Sequence, residues 1–340
     1  MKAVLKWLAL LAGLVLLAWY LSRLDSAAVL PALKQLGWLA PLVLVPYFIV
    51  YIVDCFAWRL AFPEKPCVSF LTMFRIRWAG ESLNNLVPSA YIGGEALKVY
   101  LLQKQGVRAE DATASAVVSK TAQTVAQVFF ISLAALTFLS LVKNNAALRA
   151  GMIVVVACGM LAVAALFWIQ RRGLLGVLFS ITQAFRLRSR ALEAIRPKIE
   201  QVDRTILDFY RRHPRRFLAS TCAYLCGFFL DTTEIYLASH LLGMPIAWWQ
   251  AFCVEAFTGV AKILGMWAPG SIGVQESGIV LLGRLGGLPD TLSFTYALLR
   301  RVREGIFVLG GWTLLYVAET ASWRRAMNST QKDRQAVDLE

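Results

Sequence analysis

The chain has 340 residues, of which 58% are hydrophobic and only 16% charged, against about 45–50% and about 25% in soluble globular domains. With a mean hydropathy of +0.59, that composition excludes a water-soluble domain and makes the bilayer its solvent. The net charge of +14 falls mainly between the apolar blocks, a pattern that topology explains with no nucleic acid as partner.

The apolar blocks can cross about 30 Å of hydrocarbon as helices, which takes about 20 residues each. They lack the short alternating segments of a β-barrel. The expected fold is an all-α integral membrane protein with six clear transmembrane helices and two broken or re-entrant segments. The first span runs from 3 to 21. Lys2 and Lys6 precede it, as they would a secretory signal, but its length, its Trp7, Trp19 and Tyr20, and the lack of a small-residue cleavage site make it a retained span. The second covers 39–61, and Asp54, five residues before Arg59, reads as an interfacial residue.

The stretch 69–103 is mostly apolar yet interrupted by Glu81, Asn84, Asn85, Pro88, Ser89, Gly93, Gly94, Glu95 and Lys98. Backbone broken at membrane depth survives only where protein or a wet cavity covers it. Spans 112–142 and 150–169 follow. The connection from Arg171 to Arg216 then carries twelve Lys/Arg against four acids, which places it in the cytoplasm. Both termini follow it inside, and 22–38, 143–149 and 243–247 fall outside. Within the connection, Leu192, Ile195, Ile199, Val202, Ile206 and Phe209 repeat at 3 and 4, the mark of an amphipathic helix. It lies either on anionic headgroups or on the protein's own inner face.

Spans 216–242 and 291–319 enclose the second interrupted stretch, 248–289, with Glu255, Lys262, Pro269, Gly270, Ser271, Gly273, Gln275 and Glu276. A cytoplasmic tail, 323–340, ends the single membrane domain. Its halves, about 39–142 and 216–319, match in spacing. Pro88 is followed by Glu95 at +7 and Lys120 at +32, and Pro269 by Glu276 at +7 and Arg301 at +32. Asp54 corresponds more loosely to Asp231, and Glu81 to Glu255. The second and fifth spans cross in opposite senses, so the expectation is an inverted-topology repeat. Transporters use such repeats to expose one central site to each side in turn, and paired interrupted segments point to that site.

The stretch Glu81-Ser-Leu-Asn-Asn-Leu-Val-Pro-Ser-Ala-Tyr-Ile-Gly-Gly-Glu-Ala-Leu-Lys98, with Pro269-Gly-Ser-Ile-Gly-Val-Gln-Glu276 and Arg300-Arg-Val-Arg-Glu304, resembles the lysylphosphatidylglycerol synthase transmembrane (flippase-like) family. Within it, the sequence is most similar to the membrane proteins associated with hopanoid biosynthesis. The resemblance implies a role in moving or handling lipids at the bacterial inner membrane. Where many members carry Arg, this sequence has Lys98 and Lys120, which keep the charge but not the planar fork for a phosphate. The stretch after Trp323 is too short for the soluble aminoacyltransferase domain of bifunctional members, so no synthase activity is expected.

Buried charges in hydrocarbon cost from about 2.5 to above 10 kcal/mol unless paired, so Glu81, Glu95, Lys120, Glu255, Glu276, Arg300, Arg301 and Glu304 need a reason. One reading is ion pairs, since Arg301 and Arg300 precede Glu304 by three and four residues on one helix. The other is a site for an anionic lipid headgroup, built from Glu81, Asn84, Asn85, Ser89, Gly93, Gly94, Glu95, Lys98, Lys120, Pro269, Gly270, Gly273, Gln275, Glu276, Arg300, Arg301 and Glu304. Lys120 and Arg301 both come out about 13–15 Å deep at 1.5 Å per residue, so both are expected to face one cavity. Gly93-Gly94 and Gly270 to Gly273 would start half-helices whose N–H groups favour a phosphate, or would serve close packing. Asp231 and Glu234, three apart, are the candidate proton or counter-ion pair. His213 and His240 are isolated, the six cysteines form no C-x-x-C pair, and no nucleotide or hydrolase motif appears. Neither catalytic residue, metal nor cofactor is therefore expected. The partners are membrane lipids and the leading function is a lipid transporter or flippase. The alternatives are an integral membrane transferase and a non-catalytic scaffold of lipid biosynthesis.

Overall fold

A 3-10 helix, Gly37–Val43, carries Pro41 and leads straight into α1, Leu44–Leu60. The computed structural model describes residues 34, 36–64, 66–86, 92–141, 146–173, 176, 190–265 and 271–337, so the expected span 3–21 lies outside them. After α1 come α2, Phe70–Leu86; α3, Ile92–Lys104; α4, Ala109–Leu141; and α5, Ala146–Arg171. Then follow α6, Arg190–Arg212; α7, Pro214–Leu241; α8, Trp248–Leu264; α9, Val274–Leu285; and α10, Asp290–Val337. The described residues form an all-helical fold.

Among the described residues, three helical stretches are long and apolar enough to cross a membrane: Gly37–Leu60, Ala109–Leu139 and Arg149–Arg171. They fall on the expected spans 39–61, 112–142 and 150–169. The expected spans 216–242 and 291–319 fall on α7 and α10, unbroken helices of 28 and 48 residues that carry Asp231, Glu234, Arg300, Arg301, Arg303 and Glu304. The two interrupted stretches are helix pairs, α2–α3 and α8–α9.

The packing crosses between the halves. α1 lies along α7, the α2 end of the first pair packs on α10, and the α8 end of the second packs on α4. Tyr47, Tyr51, Trp58, Phe74 and Phe307 form a buried aromatic cluster joining α1, α2 and α10. Phe130 and Phe138 of α4 meet Phe252 and Phe257 of α8 in another. Such clusters fix helix positions through contact area and edge-to-face geometry.

Small residues let backbones approach. A Cβ on Gly94 would strike the Gly80 carbonyl and the Asn84 side chain, and one on Gly227 would stand 2.9 Å from Asp54 Oδ1. On α6 the stripe residues Val202, Ile206 and Phe209 are buried against Ala61, Ala114 and Val118. The amphipathic helix therefore covers the ends of α1 and α4 with its own apolar face. In α5, by contrast, the apolar window has none of its residues buried, and Ile153, Val154 and Leu161 face outward.

Candidate functional site

A cavity of about 300 Å³ lies where α1, α2, α4, α7, α8 and α10 converge. Its walls carry four acids, Asp54, Glu81, Asp231 and Glu255, and four cations, Arg77, Lys120, Lys262 and Arg300. Both halves contribute two acids and two cations. Acids and cations that share one wall can offset each other's burial by pairing. Gln123, Thr124 and Gln127 of α4 extend the polar lining.

The cations differ in how they are held. Arg300 grips Glu255 with two parallel bonds, Nη1 to Oε2 at 2.6 Å and Nη2 to Oε1 at 3.0 Å. The Tyr296 hydroxyl also donates to Glu255, at 3.3 Å. Arg77 donates to Asp54 through Nη2 and stacks over the Tyr51 ring at 5.0 Å. Its buried Nη1 has no hydrogen-bond partner among the described residues. Lys120 is exposed and donates to Gln123 Oε1 at 3.0 Å. Lys262 is half-buried and stands in the same wall as Glu81.

A second ionic cluster lies on α9 and α10. Arg301 donates to Glu276 through Nε and to Glu304 through Nη1 at 2.6 Å, and Gln275 donates to Glu304 at 3.1 Å. Arg301 does not line the central cavity; its neighbour Arg300 does. The expectation that Lys120 and Arg301 face one cavity is corrected accordingly. Successive residues of a helix point about 100° apart at 3.6 residues per turn, so sequence spacing gives depth without direction.

The N-terminus of α9 also departs from expectation. Gly273 adopts φ 83°, a conformation that favours glycine, and its N–H donates to Glu276 Oε2 at 2.8 Å. The anion at this helix start is the chain's own carboxylate.

In the first helix pair, Asn84 Oδ1 accepts the Gly94 N–H at 2.8 Å and so ties α2 to α3. Lys98 pairs with Glu95 at 2.7 Å and lies 5.2 Å from the Trp58 ring centre. Asn85 is half-buried, and Gly93 sits in the first turn of α3. Ser89, Pro269 and Gly270 lie outside the described residues. Of the candidate proton pair, Asp231 lines the cavity, while Glu234 is sealed against Arg303.

Sequence reasoning gave Asp54 an interfacial role, yet it is 8% exposed and lines the cavity with its partner Arg77. It gave no role to Arg77, Arg303 or Gln127. An Arg inside an apolar stretch was the available signal for the first two, since such a residue demands a partner.

Comparison with known proteins bears on the chain as a whole. It is 24% identical over 249 residues to the UPF0104 membrane protein PH1989 of Pyrococcus horikoshii, a match covering 69% of this chain and 73% of that protein. No solved structure matches it. The model of the lysylphosphatidylglycerol synthase TM region matches residues 6–310. The chain therefore belongs to the lysylphosphatidylglycerol synthase TM region family, a family of membrane proteins.

Proposed function

We propose that this protein is a lipid transporter of the flippase type, which passes an anionic, phosphate-bearing headgroup through the central cavity. The cavity's walls carry the reading: two acids and two cations come from each half around a space of about 300 Å³. The packing agrees, since one helix of the interrupted pair of each half, α2 or α8, rests on the last long helix of the other. In this reading the halves are an inverted repeat, with Asp54 and Asp231 on corresponding helices, and Glu81 and Glu255 likewise. Rocking one half against the other then exposes the cavity to each side in turn.

Six spans cross the bacterial inner membrane, with both termini cytoplasmic, and α7 and α10 cross despite their charges because those charges are paired inward. The lipid is linked to hopanoid biosynthesis, after the closer resemblance noted in the sequence, or to glycolipid biosynthesis. We take the chain as non-enzymatic: its ionisable groups face one another across two halves and are not gathered at one membrane face. The scaffold alternative draws on the ion pairs of Glu276, Arg301 and Glu304.

The deciding experiment is headgroup accessibility in liposomes, run across a panel of anionic and zwitterionic lipids with the purified chain. Faster exchange of an anionic lipid, abolished by filling the cavity with Gln127→Trp, supports transport. Exchange no faster than in protein-free liposomes for every lipid of the panel leaves the scaffold reading.

A further inference from the structure

The face of α4 borders two hollows. Toward its N-terminal end, Thr113, Val117, Lys120 and Thr124 line a groove of about 600 Å³ between α3, α4 and α5. Further along, Lys120, Gln123, Thr124 and Gln127 line the central cavity. The two linings share one turn of helix, Lys120 to Thr124. From Thr113 to Thr124 the groove follows α4 for about 16 Å at 1.5 Å per residue.

The hollows have opposite chemistry. At about 300 Å³ with eight ionisable residues in its wall, the cavity sits at the lower end of ligand-site volumes, about 300–1,000 Å³. A hydrocarbon chain inside it would strip water from charges and return nothing. The groove offers Ile92, Ala96 and Val99 of α3, Val117 of α4 and Leu166 of α5. Polar groups come from Glu95, Tyr100, Gln103 and Gln170 and from Thr113, Lys120, Thr121 and Thr124 of α4, yet the surface that the groove presents is mostly apolar.

We propose that the groove receives a hydrocarbon chain of the lipid whose anionic headgroup occupies the central cavity, Lys120 meeting the headgroup where chain and headgroup part. A lysine suits that position, because its stem is apolar and its ammonium charged. The ammonium is bonded to Gln123, a residue of the cavity wall. This places the substrate among lipids that enter sideways from the bilayer and not among free phosphates from water. It rests on the transport reading for the headgroup's place.

The test uses the full chain in phosphatidylcholine vesicles holding a trace of phosphatidic acid or phosphatidylglycerol with a diazirine on one acyl chain. After photolysis, crosslinked peptides are mapped by mass spectrometry. Crosslinks at Val99, Val117 and Leu166 are expected severalfold above those at Val154 and Leu161, which face outward on α5. Lys120→Gln removes that excess and leaves the α5 crosslinks unchanged. Ala96→Trp, at an exposed position of the groove, removes it by bulk. Groove crosslinks equal to those at Val154, or indifferent to Lys120→Gln, overturn the proposal and mark the groove as ordinary bilayer contact. Lipid movement measured in the same vesicles separates the two ideas: Lys120-dependent groove crosslinks without movement uphold the groove and sink transport.

Discussion

Arg303 and Glu234 form an ion pair whose side chains are 1% and 0% exposed, joining α10 to α7. The Arg303 guanidinium also lies 3.6 Å from the centre of the Tyr47 ring on α1 and 3.4 Å from Asp231. Breaking a buried pair on one side leaves an uncompensated charge and costs about 3–5 kcal/mol. Arg303→Gln and Glu234→Gln should each lower the melting temperature in detergent and the yield of inserted protein. The double variant, Met at both positions, should recover most of that loss. Single variants that melt like the wild type would show that this pair carries no structural weight.

The central cavity should hold water, because its ionisable wall is stable only with water or a ligand beside it. Gln127→Cys and Thr124→Cys, in a background lacking the six native cysteines, should react with a water-soluble maleimide. Ala134→Cys, at a fully buried position between α4 and α8, should not. Full protection of both cavity positions in every condition counts against a wet site.

Close helix approach makes a second set of positions sensitive. On Gly311 a Cβ would strike the Ser82 side chain and stand 2.8 Å from the Trp78 carbonyl, and on Gly94 it would strike the Gly80 carbonyl. Overpacking of this kind costs about 1–3 kcal/mol. Gly311→Val and Gly94→Val should therefore reduce thermal stability, whereas Gly151→Ala, where nothing lies within 4 Å, should be neutral. Equal melting temperatures for all three variants would remove the packing argument.

A reporter fused near Glu193, at the start of α6, should read cytoplasmic. The connection's twelve basic residues against four acids dictate that side, and α6 covers Ala61 at the end of α1 and Ala114 near the start of α4. Those helix ends must then share the reporter's side. Periplasmic activity at Glu193 would invert every assignment of sides.

The helices at 39–61, 112–142, 150–169, 216–242 and 291–319 and the breaks in the two interrupted stretches were legible because apolar length and Gly/Pro breaks are local properties. Direction around a helix was not. Asp54 looked interfacial beside Arg59, five residues on, but its partner is Arg77 on the next helix. Arg301 matched Lys120 in spacing, yet Arg300 is the one turned to the cavity. Gly273 read as a phosphate cradle because the sequence does not show which acceptor wins the N–H; Glu276, three residues on, holds it. The sequence marks Lys120 as a candidate headgroup cation, but its place between two hollows depends on α3 and α5.

The difference between Lys120 and Arg301 gives the sharpest test of the site. Arg301 binds Glu276 and Glu304, whose side chains are 4% and 10% exposed, so its removal takes from each carboxylate its nearest cation. Arg301→Gln should lower thermal stability, and neutralising Glu276 as well should restore part of it. Lys120 is exposed and donates to Gln123, so Lys120→Gln removes charge from the cavity wall at an exposed position. It should leave the melting temperature near that of the wild type and abolish movement of anionic lipids in liposomes, while Lys120→Arg retains it. Both measurements belong on the same preparations, since a loss of transport in a protein that has also lost stability says nothing of binding. If Lys120→Gln moves lipid normally while Arg301→Gln fails without melting earlier, the headgroup site lies at the α9–α10 cluster and the central-cavity assignment falls.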